Sequence, residues 1–387
     1  MKNKILFLGI RGIPAKHGGF ETFAQRLALY LVDRGWDVTV YCQIQGEQKI
    51  VEKKWMGINL ICIPVKNDNA LASIVFDYKA TLDSLKREGQ IMLFGYNTAI
   101  FSLLHRLKKR ISIINMDGLE WRRQKWGNLE KAWLYANEHF GAWFNRHLIA
   151  DHPEIKNYLR QYIKPEKITV IPYGSDPVID ADASLLNRYN LSGGEYALVI
   201  ARAEPENSIL EIVAGFSSKK RNMKLVVLGK YDRDNNSYQK QVLDAASEEV
   251  VFLGAIYDKA TVQALRFYAR LYVHGHTVGG TNPSLVEALA AGTPILAHDN
   301  RFNRWVAGDG ASYFKDTAEC DEQLALLLDN TDLLKKMKLA SIDRYVEEFS
   351  EDKDLAAYEE LFLSYLPEEK AANNWVLIEQ KSSAGIR

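Results

Sequence analysis

The sequence predicts a parallel α/β protein built as two doubly wound, Rossmann-like domains. Three observations carry that prediction. Apolar runs of strand length alternate with helical patterns along nearly the whole chain. The alternation is interrupted at Pro172-Tyr173-Gly174-Ser175-Asp176-Pro177, where two prolines and a glycine mark a linker. A chain of 387 residues is also long enough for two domains with separate cores.

In the first half, strands are predicted at Ile5–Ile10, Val38–Cys42, Asn59–Pro64, Ile91–Phe94, Ile111–Asn115, Leu148–Ala150 and Thr169–Ile171. Helices are predicted at Glu21–Asp33, Leu71–Lys86 and Leu129–Phe144. After the linker a second series follows: Ala197–Ala201, Lys224–Leu228, Val250–Leu253, Leu271–His274 and Ile295–Ala297, again with helices between. The expected divisions are a first domain over 1–173, a second over 174–350, a helical segment over 351–368 packing back on the first domain, and a tail over 369–387. That tail is polar except for Trp375-Val376-Leu377-Ile378.

Composition narrows the class. At 47% hydrophobic and 25% charged residues the chain reads as soluble and globular. Cys42, Cys62 and Cys320 form neither a disulfide framework nor a metal-ligand spacing, which fits a reducing cytoplasm. The apolar run Ile5–Leu8 is too short for a signal peptide or a membrane span and reads as a buried strand. A zero net charge hides an asymmetry: residues 1–175 hold 26 Lys and Arg against 16 Asp and Glu, and the remainder is acidic to the same extent. A basic first half suits anionic lipid headgroups or a pyrophosphate-bearing substrate, and no nucleic-acid partner is expected.

The most informative motif runs from His274 to Pro294. A strand ending in histidine enters a glycine-rich turn, and a helix then starts at Asn282-Pro283-Ser284. Unpaired N–H groups and the positive end of the helix dipole suit a phosphate there. Asn282 fits an N-cap and Pro283 the first helical turn. Glu287, four residues on, lies on the same face and is placed to accept from sugar hydroxyls. In the first half, the loop Gly9–Glu21 has the wrong spacing for a G-x-G-x-x-G dinucleotide site, and the next strand ends without an acidic residue. Gly18-Gly19 at a helix start instead suits close approach of backbone to a phosphate or sugar. In doubly wound domains such sites lie at the carboxyl ends of strands, so a ligand is expected in the cleft between the two.

With both loops in view, the chain resembles the retaining family-4 glycosyltransferases of the two-domain GT-B fold over most of residues 4–365. More narrowly it is similar to a bacterial polysaccharide subgroup that includes rhamnosyltransferases. The matching segments are Gly12-Ile13-Pro14 with Gly18–Phe23, Met116–Trp121, Ile171–Gly174, Ala201-Arg202 with Glu204–Asn207, and His274–His276 with Gly279–Ser284. Two positions depart from the broad family. Its pair of glutamates separated by seven residues is reduced to Glu287, because the first falls on Gly279. The lysine five residues after its phosphate-binding arginine is Asn207.

The resemblance implies that Arg202 and the amides near Gly280, Thr281, Asn282, Pro283 and Ser284 hold a diphosphate, with Glu287 on the ribose. Asn207 would donate one neutral hydrogen bond. His274 is either a contact to the donor or a structural strand-end histidine. Asp117 is either a contact to the transferred sugar or acceptor hydroxyl, or a cap or turn carboxylate. The implied catalytic set is Asp117, Arg202 and Glu287, and the implied reaction moves a sugar from a nucleotide-diphosphate donor, with dTDP-L-rhamnose as the subgroup's donor. The implied acceptor is a glycan or polyprenyl-pyrophosphate-linked chain of a cell-surface polysaccharide or O-antigen. The expected location is cytoplasmic, peripheral to the inner face of the bacterial membrane, with an anionic membrane surface meeting the basic first domain. A sugar-nucleotide epimerase or hydrolase of the same fold, and a non-catalytic nucleotide-sugar-binding protein, are the alternatives.

On the acceptor side, Glu120, Trp121, Arg122 and Trp126 lie in a charged, aromatic loop that suits sugar stacking or anionic lipid. Trp133 and Trp143 read as core. Asp232-Arg233-Asp234 spells a D-x-D but sits in a polar loop, and no cluster of ligand spacing appears elsewhere. Neither a metal nor another cofactor is therefore expected.

Overall fold

A computed structural model describes residues 2–366 except Lys16, His17, Glu47, Asp68 and Gln124, so the tail lies outside the described residues. The chain divides into two compact units. One comprises Met1–Trp121, Trp126–Ile171 and the described residues from Leu355; the other comprises Arg122–Lys125 and Pro172–Asp354.

The first unit holds strands β1 (Lys4–Leu8), β2 (Asp37–Gln45), β3 (Val51–Trp55), β4 (Ile58–Val65), β5 (Gln90–Phe94), β6 (Ser112–Asn115), β7 (His147–Ala150) and β8 (Ile168–Val170). Its helices are α1 (Gly19–Asp33), α2 (Ala70–Ser84), α3 (Ser102–Leu107), α4 (Asn128–Phe144) and α5 (Pro153–Leu159). The sheet order is β3-β4-β2-β1-β5-β6-β7-β8. Every pairing is parallel except β3 with β4. Central strands such as Ile5–Leu8 and Ile91–Phe94 are buried, as continuous apolar runs require when helices cover both faces. Helix α1 buries Phe23, Ala24, Leu27, Ala28 and Leu31, a stripe of helical period.

Two local departures from the sequence reading have plain causes. Strand β1 stops at Leu8 rather than Ile10, because Gly9 turns the chain at φ 84 and a Cβ there would stand 2.6 Å from the Phe94 carbonyl oxygen. Strand β3 was not expected, since Val51-Glu52-Lys53-Lys54-Trp55 has no buried face to betray it; its lysines are typical of a protected sheet edge.

The second unit carries β9 (Tyr196–Ile200), β10 (Lys224–Leu228), β11 (Val250–Gly254), β12 (Leu271–His274), β13 (Ile295–His298) and β14 (Ser312–Phe314). They form one parallel sheet ordered β11-β10-β9-β12-β13-β14. Helices α6 (Ile209–Ser217), α7 (Ser237–Asp244), α11 (Thr317–Leu328) and α12 (Thr331–Glu348) contribute to the core on one face. Helices α8 (Lys259–Phe267), α9 (Pro283–Ala290) and α10 (Arg301–Ala307) pack on the other. Strand order reverses between β9 and β12 here, and between β1 and β5 in the first unit. Those reversals open crevices at the strands' carboxyl ends.

Helix α13 (Glu351–Ser364) starts in the second unit and ends in the first. Its first-unit half is held by polar groups. Glu359 is buried and accepts from Trp36 Nε1 at 3.0 Å and Arg34 Nε at 3.1 Å. Asn115 Nδ2 donates to Tyr358 Oη at 2.7 Å, and Gln90 Nε2 donates to the Phe362 carbonyl at 2.8 Å.

His105 in the first unit is fully buried against Ser84, 2.9 Å from its hydroxyl, and burial followed by the nearby Arg110 charge lowers its pKa to about 4. Its folded pKa is below the unfolded value, so the unfolded chain takes up the proton first and stability is lost as pH falls from 6.5 toward 4. Between pH 6.5 and 5 the cost is about 2 kcal/mol. Thermal unfolding of the first unit is expected at lower temperature at pH 5 than at pH 7, with a shallower pH slope in His105→Gln. An unchanged slope in that variant refutes the assignment.

Candidate functional site

In the second unit, the sequence-selected residues gather at the reversal point. Arg202 follows β9, and β12 ends at His274. The loop 275–282 then leads into α9. Asn282 caps that helix, its side chain accepting from the Ser284 N–H at 3.0 Å, and Pro283 occupies the first turn. Leu285 and Val286 donate to the Asn282 carbonyl. The first-turn amides of α9 are thus already used. The backbone N–H groups of Val278, Gly279 and Gly280 make no hydrogen bond among the described residues, so the anion-binding capacity lies in the loop just before the helix. The exposed Arg202 guanidinium makes no ion pair among the described residues. Thr281 is buried.

The turn after Arg202 is laced to the loop after β12. Asn207 is buried and uses both ends of its amide: Nδ2 donates to the Arg202 carbonyl at 2.8 Å, and Oδ1 lies 2.7 Å from His276 Nδ1. One Nδ2 hydrogen and Oδ1 thus hold Arg202's backbone and an imidazole, which leaves the second Nδ2 hydrogen for the neutral bond expected of Asn207. Thr277 donates from both N–H and Oγ1 to the Glu206 carbonyl. Gly275 permits this approach, since a Cβ there would come within 2.0 Å of the Asn207 carbonyl oxygen.

Gly279 has an equally local reason. A Cβ on it would meet the Phe302 ring at 2.3 Å. Phe302 lies in the first turn of α10 under the Asn300 cap, and Asn300 and Asn303 both donate to the His276 carbonyl. A carboxylate at 279 has no room while Phe302 stands there.

Glu287, half-exposed, pairs with Arg266 of α8, a residue the sequence reading missed. Arg266 Nη2 also donates to Ser284 Oγ at 3.1 Å, which lies 2.7 Å from Tyr272 Oη. Ser284 Oγ and Tyr272 Oη both reach the Ile200 carbonyl at 3.3 Å. The Ser284 hydroxyl is therefore held inward, and the side chain on this helix that stays half-exposed beside it is Glu287. His274 is buried with Nε2 unpartnered among the described residues, and burial, then the neighbouring His276 and His298, lowers its pKa to about 3. It is a neutral imidazole at physiological pH.

The remaining candidates stand in the first unit, apart from Arg122, which clusters with the second. Gly18 (φ 90) precedes α1, and its carbonyl accepts from Thr22, while Glu21 folds back to accept from the Arg11 N–H at 3.1 Å. A Cβ on Gly19 would meet nothing within 4 Å, so open space lies beside the helix start. Asp117 follows β6 in a left-handed conformation (φ 52), with its N–H on Asn115 Oδ1 at 2.8 Å. It precedes no helix directly, so of the cap and turn alternatives the turn is the one found, in a strained conformation. Tyr96 Oη spans this turn, donating to the Gly118 carbonyl at 3.1 Å and accepting from the Glu120 N–H at 2.9 Å.

Trp126 Nε1 donates to Glu120 Oε1 at 3.1 Å, and Trp121 Nε1 donates to Glu138 Oε2 at 2.9 Å. Buried Glu138 also accepts from Tyr158 and Tyr162; burial raises its pKa while these donors oppose the shift. Trp133 and Trp143, expected in the core, are 41% and 45% exposed. Helix α4 buries Leu134, Asn137, Glu138, Gly141 and Ala142 instead, a stripe too polar and small to be read as core.

Asp232 of the D-x-D staples its own turn: Oδ1 accepts from the N–H groups of Asp234 and Asn235, and Asn235's side chain lowers its pKa. Among the described residues no group of three His, Cys, Asp or Glu stands in position to hold a metal ion.

Comparison with known proteins places these features in context. Residues 2–176 match the model described as "Domain of unknown function (DUF1972)", and residues 187–344 match "Glycosyl transferases group 1". A phosphatidyl-myo-inositol mannosyltransferase of Mycolicibacterium smegmatis is 28% identical over 165 residues, 41% of this chain and 41% of that protein. The matched segment thus spans about two fifths of that relative's length. Among solved structures, a sucrose-phosphate synthase from Thermosynechococcus elongatus superposes with a TM-score of 0.77 at 15% identity, covering 93% of this chain and 98% of that one. Anabaena HepE, solved in complex with UDP and glucose, gives 0.75 at 15% identity, covering 94% of this chain and 100% of that one. The fold is that of the GT-B glycosyltransferases, and residues 187–344 are similar to the group 1 glycosyl transferases.

Proposed function

We propose that the protein is a retaining glycosyltransferase that takes a sugar from a nucleotide-diphosphate donor, with dTDP-L-rhamnose as the donor the subgroup resemblance favours. The observation that carries this reading is an exposed Arg202, without an ion pair among the described residues, on a turn laced to the loop whose Val278–Gly280 amides make no hydrogen bond among the described residues, with a half-exposed Glu287 on the helix that follows. That is a set of donors for a diphosphate next to an acceptor for ribose hydroxyls.

In the proposed step, the bond from the sugar's anomeric carbon to the β-phosphate oxygen breaks, and the acceptor hydroxyl adds on the same face. Its proton passes to the departing phosphate oxygen, so no protein nucleophile is needed. Rate then depends on stabilising negative charge as it develops on the diphosphate, which is the work of Arg202 and the loop amides. Glu287 anchors the nucleoside. Asp117, held in its strained turn, is assigned to the transferred sugar or the acceptor hydroxyl, with Trp121 and Trp126 beside an acceptor glycan. No metal is assigned to the step.

The acceptor is proposed to be lipid-linked, in growth of a cell-surface polysaccharide at the inner membrane face. Among the described residues no helix is long and apolar enough to cross a membrane. A surface association is supported by the exposed stripe Leu71, Val75, Tyr78 and Leu82 on α2, joined by Leu103 and Leu107 of α3. Exposed Lys79, Lys86, Arg106, Lys108 and Lys109 accompany it. Apolar residues with such a basic fringe suit an anionic bilayer interface.

Thermal-shift measurements with dTDP-, UDP- and GDP-sugars test the donor: dTDP-rhamnose is expected to raise the melting temperature, and Arg202→Ala to abolish the shift while remaining folded. A shift with only UDP- or GDP-sugars overturns the rhamnose assignment. Turnover in excess EDTA is expected to match the untreated rate; loss restored by Mg²⁺ or Mn²⁺ means a metal is required. In liposome flotation, binding is expected to rise with anionic lipid content and to drop in Leu71→Ser/Leu107→Ser. Binding that ignores lipid charge counts against the membrane reading.

A further inference from the structure

We propose that Arg266 is a positioning residue that sets the aim of Glu287 toward the nucleoside, an inference that rests on the donor-site reading above. The Arg266 side chain is 5% exposed and that of Glu287 is 43% exposed. One guanidinium nitrogen, Nη2, serves both Glu287 Oε2 and Ser284 Oγ. Ser284 is locked in turn by Tyr272 and the Ile200 carbonyl at the end of β9. Arg266's own carbonyl accepts from Thr293 Oγ1 at 2.8 Å, so its backbone is fixed as well. Three elements, β12, α8 and α9, therefore converge on one carboxylate, whose Oε1 has no partner among the described residues.

This arrangement is a costly way merely to join α8 to α9. Both helices already contribute to a common apolar core, α8 through Ala264 and Leu265 and α9 through Leu285 and Leu289. Burying a guanidinium carries a desolvation penalty that an apolar residue would avoid, and Arg266 Nε is left buried without a partner. What the cation adds is orientation. Tying Oε2 inward removes rotamer freedom from an otherwise mobile glutamate and leaves Oε1 to accept from a sugar hydroxyl. Ordering the side chain before the ligand arrives lowers the cost of binding.

The test separates this role from a structural one by measuring what the ribose hydroxyls contribute. Binding of UDP and 2′,3′-dideoxy-UDP, and of dTDP and 3′-deoxythymidine diphosphate, is measured calorimetrically for the wild type, Glu287→Gln, Arg266→Met and the double variant. In the wild type, removing the hydroxyls is expected to weaken binding about tenfold. In Glu287→Gln and in Arg266→Met that gap is expected to shrink toward one, with the double variant no worse than either single. Arg266→Met retaining the full gap while Glu287→Gln loses it overturns the proposal. A gap that survives in Glu287→Gln, or a wild type that binds none of the four nucleotides, overturns the donor-site reading itself and the inference with it. Should Arg266→Met fail to fold, Arg266→Lys decides. A lysine ammonium lacks the planar fork and is expected to leave only part of the gap, so an undiminished gap overturns the proposal.

Discussion

The second unit's candidate site depends on the lacing of the turn after β9 to the loop after β12. Asn207 is its centre, giving one end of a buried amide to the Arg202 carbonyl and the other to His276. Thr277 adds two donors to the Glu206 carbonyl, and Gly275 lets the strands of backbone touch. A buried amide with both ends satisfied is stiff, because breaking either bond leaves a polar group without water or partner. The backbone of Arg202 and the loop after β12 are consequently held to one another. A lysine at 207 would bring a charge but give up the acceptor that orients His276. Under the proposed function, charge on a departing diphosphate then falls to Arg202 and the loop amides alone.

The two departures from the broad family that the chain resembles have separate physical bases that meet at one group. Asn207 is explained by His276's ring, and Gly279 by the Phe302 ring packed against it. Phe302 is fixed by α10, whose start is tied to the His276 carbonyl through Asn300 and Asn303. His276 thus joins both replacements, one through its side chain and one through its backbone. The loss of an ammonium and a carboxylate is met by packing and neutral hydrogen bonds. Under the proposed function, a loop held in this way is ordered before a donor binds, which favours stabilising charge as it forms.

The parts of this arrangement that are local in sequence were legible from it. Asn282 and Pro283 announce a helix start through cap chemistry, and the strands announce themselves through unbroken apolar runs. What was hidden depends on elements distant in the chain. Arg266 reads as an ordinary polar position near the end of an amphipathic helix, and only the packing of α8 on α9 buries it beside Glu287. Phe302 reads as a helix residue until Gly279 is seen beneath its ring. Trp133 and Trp143 were misread because α4 buries Asn137 and Glu138, whose hydrogen bonds substitute for apolar contact and displace the tryptophans outward. The spacing of Leu71, Val75, Tyr78 and Leu82 was visible, but periodicity identifies a face without saying whether anything covers it.

The first unit imposes a limit on how an acceptor is recognised under the proposed function. Tyr96 spans the turn from Gly118 to Glu120, which fixes the backbone around the strained Asp117. The indole N–H of Trp121 is committed to Glu138 and that of Trp126 to Glu120. Neither ring has a donor left to offer a sugar hydroxyl, so what these tryptophans contribute is ring surface. Stacking of this kind tolerates differences in hydroxyl configuration, whereas hydrogen bonding does not. Discrimination among acceptors must then rest with polar groups nearer the reacting hydroxyl, and Asp117 is the one whose conformation is held at a cost.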